Sequence, residues 1–566
     1  MQLFGILEDN IGMLILHWRP QPFTVSSEPL FYTFYQILSN YIDSIFLYNL
    51  LVFLTWIFLI FFSFKFFSMF FNDRFISICL SLVFSFSPYF YYHMQSHLVL
   101  TQFWIVLIYL IFLVKIFLKE SKVFDFIFIG TILAILALTS NYLGFFSIVF
   151  TLLYFLIYWM FTIKETPTKF YKYIFGLLTI FLTFLTIFFT FNFRFLNILL
   201  NPNYQELSTN LKIVTGRPIE DFFIFSSRPW YYILPSIDNP FFGELSSKLI
   251  LELQSNWGIF LTDNYFKSEH SSSFLGISNL IIGFAGLLFL INSYKKNINT
   301  NYFEIQAIIL SIVCLALVLF TMPPYLTFFG KNIYSPSYLI YEFFPMFRVT
   351  SRLGVFVLLL WLILVGFGYK VIFSYLRKRE FSNLKIRIIF LFMVTISLLE
   401  FYIPPKFINF SDTPDVFRYI KENLNPEDKI VVYPHSKTKE SLFWSKYYSK
   451  DLINTYGAAH NIDEKIITNV EFTENLTTCK GIYDAIGLGA TFLVFFPNEA
   501  YINGDFSFIS GIEEVFRFEN ISQQEYNASK FWTIQNIGNN HSNVAILYKL
   551  PKKLEDLNCL KEKLLF

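Results

Sequence analysis

The sequence predicts a multi-span α-helical membrane protein, with about ten transmembrane helices followed by an extracytoplasmic α/β domain. Three observations lead there. Of the 566 residues 55% are hydrophobic and only 15% charged, whereas a soluble chain carries about 25% charged residues. Apolar runs recur through the first two thirds of the chain at about 20 residues each, the length that crosses the roughly 30 Å hydrocarbon core of a bilayer. After residue 404 the pattern changes to amphipathic segments alternating with short apolar ones.

The expected spans are 45–71, 75–92, 98–118, 123–140, 142–163, 172–191, 274–292, 304–321, 353–376 and 386–403. Cytoplasmic loops carry the excess of Lys and Arg. Lys119, Lys122, Lys164, Lys169 and Lys172 fall in two short loops, and Lys295, Lys296, Arg377, Lys378, Arg379, Lys385 and Arg387 in two more. Strict alternation then puts all four inside. Outside lie the N-terminal segment, the His93–His97 corner, the corner at Ser140–Tyr142, the loops 192–273 and 322–352, and the tail. Residues 1–19, MQLFGILEDNIGMLILHWR, are too short and too acidic for a span or a signal peptide. The expectation is that a first helix is missing from the chain, or that this piece lies flat on the membrane.

The division expected is a transmembrane domain over 1–403 and an α/β domain over 404–566. TPDVFRYIKENLNPEDKIVVYP reads as helix, loop and strand, with Asp412 or Thr413 as N-cap. KGIYDAIGLGATFLVFFPN reads as helix, Gly-rich turn and strand, and Ala545–Leu550 as a closing strand. The tail has no phosphate loop, GxSxG or zinc spacing. Cys79 and Cys314 sit in apolar spans as small hydrophobes. Cys479 and Cys559 are able to pair if the tail is extracytoplasmic. No basic tract suggests nucleic acid, and the net charge of +2 excludes nothing further.

Candidate chemistry collects on the outer face. Glu8 and Asp9 offer adjacent carboxylates, which act as a general base or hold a divalent cation, or else are a solvated pair near a chain end. His93 and His97 share a face if the segment is helical. They would hold a metal, contact a phosphate, or merely polarise a helix end beside the aromatic belt of Tyr89, Tyr91 and Tyr92. Arg348 and Arg352 open a late span four residues apart, as a fork for phosphate or as snorkelling cations. RPWYYILP supplies Arg228, Trp230 and Tyr231 as a substrate loop, while Arg217, Asp238 and Glu244 line a groove or are ordinary loop charges. His435, His460 and the sequons at Asn409, Asn475, Asn520 and Asn527 read as surface features. One outer face thus gathers acids, histidines, arginines and an aromatic loop, which suits a lipid phosphate.

Three segments resemble the GT-C membrane glycosyltransferases, in the branch with a C-terminal extracytoplasmic domain. They are SEPLFYTFYQILSNYIDSIFLYNLLVFLTW, FSFSPYFYYHMQSHLVLTQFWIVLIYLIFL and YEFFPMFRVTSRLGVF, supported in the tail by DVFRYIKEN, KIVVYP and GATFLVF. The resemblance implies transfer of a sugar from a polyprenyl-phosphate donor to an extracytoplasmic acceptor, a glycolipid, cell-wall polymer or protein, at the plasma membrane. It implies Asp9, with Glu8, as base or as ligand of a magnesium or manganese ion. Arg348 and Arg352 would neutralise the leaving phosphate, and His93 and His97 would line its cavity. The alternatives are a lipid-linked saccharide flippase or a degenerate, non-catalytic binding protein. A flippase needs polar groups deep in its spans, and Lys65 and Lys115 are among the few near them.

Overall fold

The computed structural model describes residues 29–39, 41–42, 44–116, 122–162, 167–191, 218–256, 265–295, 302–404, 415–434, 448, 450–454, 475–496, 509–510, 512–518, 545–551 and 558–559. The chain divides into a helical unit built on Leu50–Pro405 and a smaller one built on Lys406–Phe566.

The long helices form where leucine, isoleucine and phenylalanine run without interruption, so that a chain in lipid satisfies its backbone internally. In order they are α1 (Pro29–Ser39), α2 (Ser44–Phe70), α3 (Arg74–Ser85), α4 (Pro88–Ser96), α5 (Phe103–Lys115), α6 (Val123–Thr139), α7 (Asn141–Thr162) and α8 (Pro167–Phe191). Short α9 (Ile219–Ile224), α10 (Gly243–Asn256) and α11 (Lys267–His270) follow, then α12 (Ile277–Lys295) and α13 (Tyr302–Thr321). A hairpin of β1 (Tyr325–Phe328) and β2 (Lys331–Tyr334) leads to α14 (Ser337–Phe343), α15 (Gly354–Lys378) and α16 (Asn383–Phe401).

Among the described residues seven helices are long and apolar enough to cross a membrane, or eight if a bent pair counts as one span. The expected ten is therefore not confirmed among the described residues, for identifiable reasons. The second expected span is broken: α3 and α4 meet at 45°. Pro88 stands at the first position of α4 and pushes Ser87 into extended backbone, φ −69° and ψ 156°, so the first helix has to stop before it. The fourth, α6, has only 17 residues. The tenth, α16, carries Lys385, Arg387 and Glu400 along its 19 residues.

Helix α15 is buried along nearly its whole length up to Tyr369 and packs closely against α12. Small residues allow the approach. A Cβ on Gly286 would stand 1.9 Å from the Leu364 carbonyl oxygen, and one on Gly368 2.1 Å from that of Ile282. Trp361 Nε1 donates across the same seam to the Asn279 carbonyl at 3.0 Å.

The smaller unit holds α17 (Asp415–Asn423), β3 (Lys429–Tyr433), β4 (Asp451–Leu452), α18 (Cys479–Gly487), β5 (Phe492–Phe495), β6 (Ile509–Ser510), β7 (Glu513–Phe518), β8 (Ala545–Lys549) and β9 (Asn558–Cys559). Five strands form one mixed sheet in the order β4-β3-β5-β8-β7. β3 runs parallel to β4 and β5, and β8 antiparallel to β5 and β7. Alternate residues feed two cores. Ile430, Val432, Val494 and Leu547 pack with Phe417 of α17, and Val431, Leu493, Phe495 and Ile546 with Ile482 of α18. Burial on both faces is why these strands read as continuous apolar runs. Cys479 is disulfide-bonded, whereas Cys79 and Cys314 are free and buried.

Candidate functional site

The helix break at Ser87 turns α4 inward and carries His93 into the bundle. Its side chain is fully buried. The ring lies edge-on to Tyr89, centroids 4.3 Å apart, and to His97 at 5.9 Å. Neither ring nitrogen of His93 finds a hydrogen-bond partner among the described residues, and Nε2 stands 3.8 Å from Glu269 Oε2. His97 caps α4, outside regular helix (φ −147°, ψ 67°), and is only half-buried. The two histidines are thus adjacent, but the shared helical face expected from their spacing is not formed, because α4 ends at Ser96.

Glu269 lies on α11, in the polar stretch that leads into α12. It accepts two hydrogen bonds from Arg352, Nη2 to Oε1 at 2.7 Å and Nε to Oε2 at 3.0 Å. Both residues are buried. The Arg352 guanidinium also sits over the ring of Tyr142, at 4.6 Å from its centroid, and Tyr142 opens α7. Four separate chain segments therefore meet at one charged cluster inside an apolar bundle. A buried charge of this kind persists only where a partner compensates it.

Arg348 takes a different place. The stretch from Pro345 to Leu353 is two 3-10 turns, with α15 beginning only at Gly354. The expected single helical face for the two arginines is therefore not formed. Arg348 turns outward, pairs with Asp221 and rests over the Phe225 ring at 5.1 Å. Both arginines carry a carboxylate partner.

The loop of 218–243 is bound to this cluster at several points. Tyr92 on α4 donates to Asp238 at 2.9 Å and hydrogen-bonds Ser236 at 2.6 Å, and Lys267 on α11 pairs with Asp238 at 2.7 Å. Ser227 N–H donates to the Thr321 carbonyl at 2.7 Å, and Ser351 N–H to that of Phe225 at 3.1 Å. His270 accepts from the Phe266 N–H at Nδ1, 3.0 Å, and its Nε2 lies 2.9 Å from the Ile224 carbonyl, which fixes a neutral tautomer with the proton on Nε2. Its ring stacks on Tyr231, centroids 4.6 Å apart.

Arg228, Trp230 and Tyr231 are buried. Arg228 donates from Nη1 to the Ser226 carbonyl at 2.6 Å and to its hydroxyl at 3.0 Å. Burial pulls its guanidinium down to about 10. Glu244 is an exposed surface charge paired with Lys248 at 2.7 Å. Glu8, Asp9, Arg217, His435 and His460 lie outside the described residues. Among those described, no group of three or more His, Cys, Asp or Glu side chains comes together to hold a metal ion.

Sequence reading missed Glu269, His270, Lys267 and Asp221. NYFKSEHSSSF looks like an ordinary polar loop, and the one signal available was a carboxylate–histidine pair placed directly before an apolar run.

No family model and no curated protein sequence matches the chain. Among solved structures it is similar to the archaeal oligosaccharyltransferase AglB from Archaeoglobus fulgidus in complex with an inhibitory peptide and a dolichol-phosphate, with TM-score 0.41 and 10% identity over 88% of this chain and 65% of that one. It is also similar to an oligosaccharyltransferase of the same organism in complex with Zn and sulfate, with TM-score 0.40 and 11% identity over 88% of this chain and 64% of that one. The chain spans less than two thirds of their length.

Proposed function

We propose that this chain is a plasma-membrane glycosyltransferase that moves a sugar from a polyprenyl-phosphate donor to an extracytoplasmic acceptor. The observation that carries the reading is the buried Arg352–Glu269 clamp with His93 beside it, at the outer end of the spans as the Lys and Arg distribution orients them. The SPY…H…H and FR…R segments that carry the GT-C resemblance supply His93 and Arg352 to this cluster.

In this reading the acceptor hydroxyl attacks the anomeric carbon of the sugar while the bond from that carbon to the phosphate oxygen breaks. Asp9, helped by Glu8, takes the hydroxyl proton. The phosphate leaves with added negative charge, and preorganised donors stabilise it. Arg348, half-buried and paired with Asp221, is the cation that exchanges its carboxylate for the phosphate. Arg352, held by Glu269, fixes the positive end of the cavity and orients its neighbours. His93, with both ring nitrogens open, and His97, half-buried beside it, donate to phosphate oxygens. Arg228, Trp230 and Tyr231 shape the loop over the cavity.

The test uses the full chain reconstituted in lipid vesicles, with binding of a polyprenyl phosphate and sugar transfer measured separately. Arg348→Ala is expected to weaken binding, Arg352→Lys to weaken it less, and Asp9→Asn to abolish transfer while leaving binding intact. Unchanged binding in Arg348→Ala together with unchanged transfer in Asp9→Asn would overturn the assignment.

A further inference from the structure

Helix α13, a candidate span, ends at Thr321, and β1 starts four residues later at Tyr325. The base of the hairpin is locked to that helix end. Ser337 Oγ donates to the Met322 carbonyl at 2.7 Å, and Ser335 N–H to that of Pro324 at 2.9 Å. Four-residue arms project about 13 Å from this base. On one face Tyr325 packs on Phe223 and Tyr334 on Tyr338, with ring centroids 4.7 and 4.6 Å apart. Pairing of Leu326 with Ile333 and of Phe328 with Lys331 puts those four side chains on the other face. There Phe328, Ile333 and Lys331 are exposed and Leu326 is half-buried.

The turn itself is unusual. Phe329 and Gly330 both have positive φ, 48° and 74°, as a two-residue type I′ hairpin requires. That turn favours Asn-Gly, because a bulky side chain in the left-handed region is strained. Here the strained position holds a phenylalanine whose side chain is fully exposed, at 103%. Backbone preference and solvation both disfavour an aromatic at this point, and a two-stranded hairpin gains little stability by itself. The placement makes physical sense if the ring has an apolar medium to enter.

We propose that the hairpin is a membrane anchor. Its Leu326–Phe328–Ile333 face and Phe329 tip enter the interface of the bilayer that α13 and α15 cross, and Lys331 meets lipid phosphate. Three features select lipid as the occupant. The hairpin is rooted within four residues of a span, so it cannot leave the membrane boundary. An aromatic tip beside a lysine matches the order of acyl chain and headgroup at that boundary. The following helix, α14, also exposes Leu339 and Phe343 before the chain re-enters at α15. The anchor stands independently of sugar transfer.

The experiment places an environment-sensitive fluorophore on Phe329→Cys in the full chain, reconstituted in vesicles of zwitterionic and anionic phospholipid. Unsubstituted protein, treated alike, gives the background from native cysteines. The expected result is a blue-shifted emission that loses most of its intensity with phospholipids carrying a nitroxide near the top of the acyl chain, and little with aqueous iodide. Strong quenching by iodide would overturn the proposal. Protection from both quenchers would also overturn it, since the tip would then be covered by protein, such as a second copy of the chain. Phe328→Cys, on the same face, gives an independent reading if the tip variant does not assemble.

Discussion

Arg352 and Glu269, 83 residues apart in sequence, form a bidentate ion pair of 2.7 and 3.0 Å in a site where neither side chain is more than 9% exposed. Removing one partner leaves an uncompensated buried charge, at a cost of about 3–5 kcal/mol, whereas replacing both by apolar residues of similar volume is often nearly neutral. Glu269→Leu alone is therefore expected to lower thermal stability of the purified protein sharply. The double variant Glu269→Leu/Arg352→Met is expected to recover most of that loss. A double variant less stable than both single ones, in the same unfolding assay, would show that the pair is not the unit that matters.

Asn239 connects the 218–243 loop to the end of the last helix of its unit. Its amide nitrogen donates to the carbonyls of Leu399, Glu400 and Tyr402 at 2.9, 3.0 and 3.1 Å, and its oxygen accepts from the N–H groups of Phe241 and Phe242. A helix end leaves its last carbonyls without helical partners, and of these three only that of Leu399 also accepts from a backbone donor among the described residues, the Tyr402 N–H at 3.3 Å. With two N–H groups shared among three carbonyls and two bonds accepted, at about 0.5–1 kcal/mol per net hydrogen bond, Asn239→Ala is expected to cost about 2–4 kcal/mol. Asn239→Asp should be at least as harmful, because it sets a negative charge against three carbonyl oxygens. Protease sensitivity of the loop reports this directly, and equal resistance of all three proteins would refute it.

The sequence made the apolar helices and the alternation of the tail legible because both signals are periodic and local. The break before Pro88 was written in SPY, since a residue preceding proline resists the helical conformation, yet a hydropathy window averages across it. The arginine site was legible as residues but not as geometry. Four-residue spacing implied one helical face, and two 3-10 turns put Arg348 outward and Arg352 inward. Glu269 was legible only as a carboxylate–histidine pair before an apolar run, because its role comes from a partner 83 positions away.

The α12–α15 seam predicts a contrast between two glycines. Alanine is the better helix former by about 1 kcal/mol, so Gly→Ala in a helix with room should be neutral or stabilising. Gly487, at the end of α18, has nothing within 4 Å of an added Cβ. At Gly286 the same carbon would stand 1.9 Å from a carbonyl oxygen of α15, and forcing the helices apart typically costs about 1–3 kcal/mol. Thermal unfolding is expected to fall for Gly286→Ala and to hold or rise for Gly487→Ala. Equal effects at both positions would argue against the tight seam.

Arg348 and Asp221 give the sharpest test of the proposed phosphate contact. Their side chains are 28% and 20% exposed, so the pair is reachable from water. An ion pair of that kind contributes about 0–1 kcal/mol to stability, and Asp221→Asn should leave folding nearly intact. If a donor phosphate has to displace Asp221 from Arg348, removing that competing charge should tighten binding, by about tenfold for each 1.4 kcal/mol no longer spent on the exchange. Arg348→Ala should weaken it. Both effects should shrink as salt is raised, since a half-exposed site is screened. The informative measurement is polyprenyl-phosphate binding to wild type, Asp221→Asn and Arg348→Ala at two ionic strengths. Opposite shifts in the two variants would support the exchange, and the same affinity in all three would remove Arg348 from the donor site.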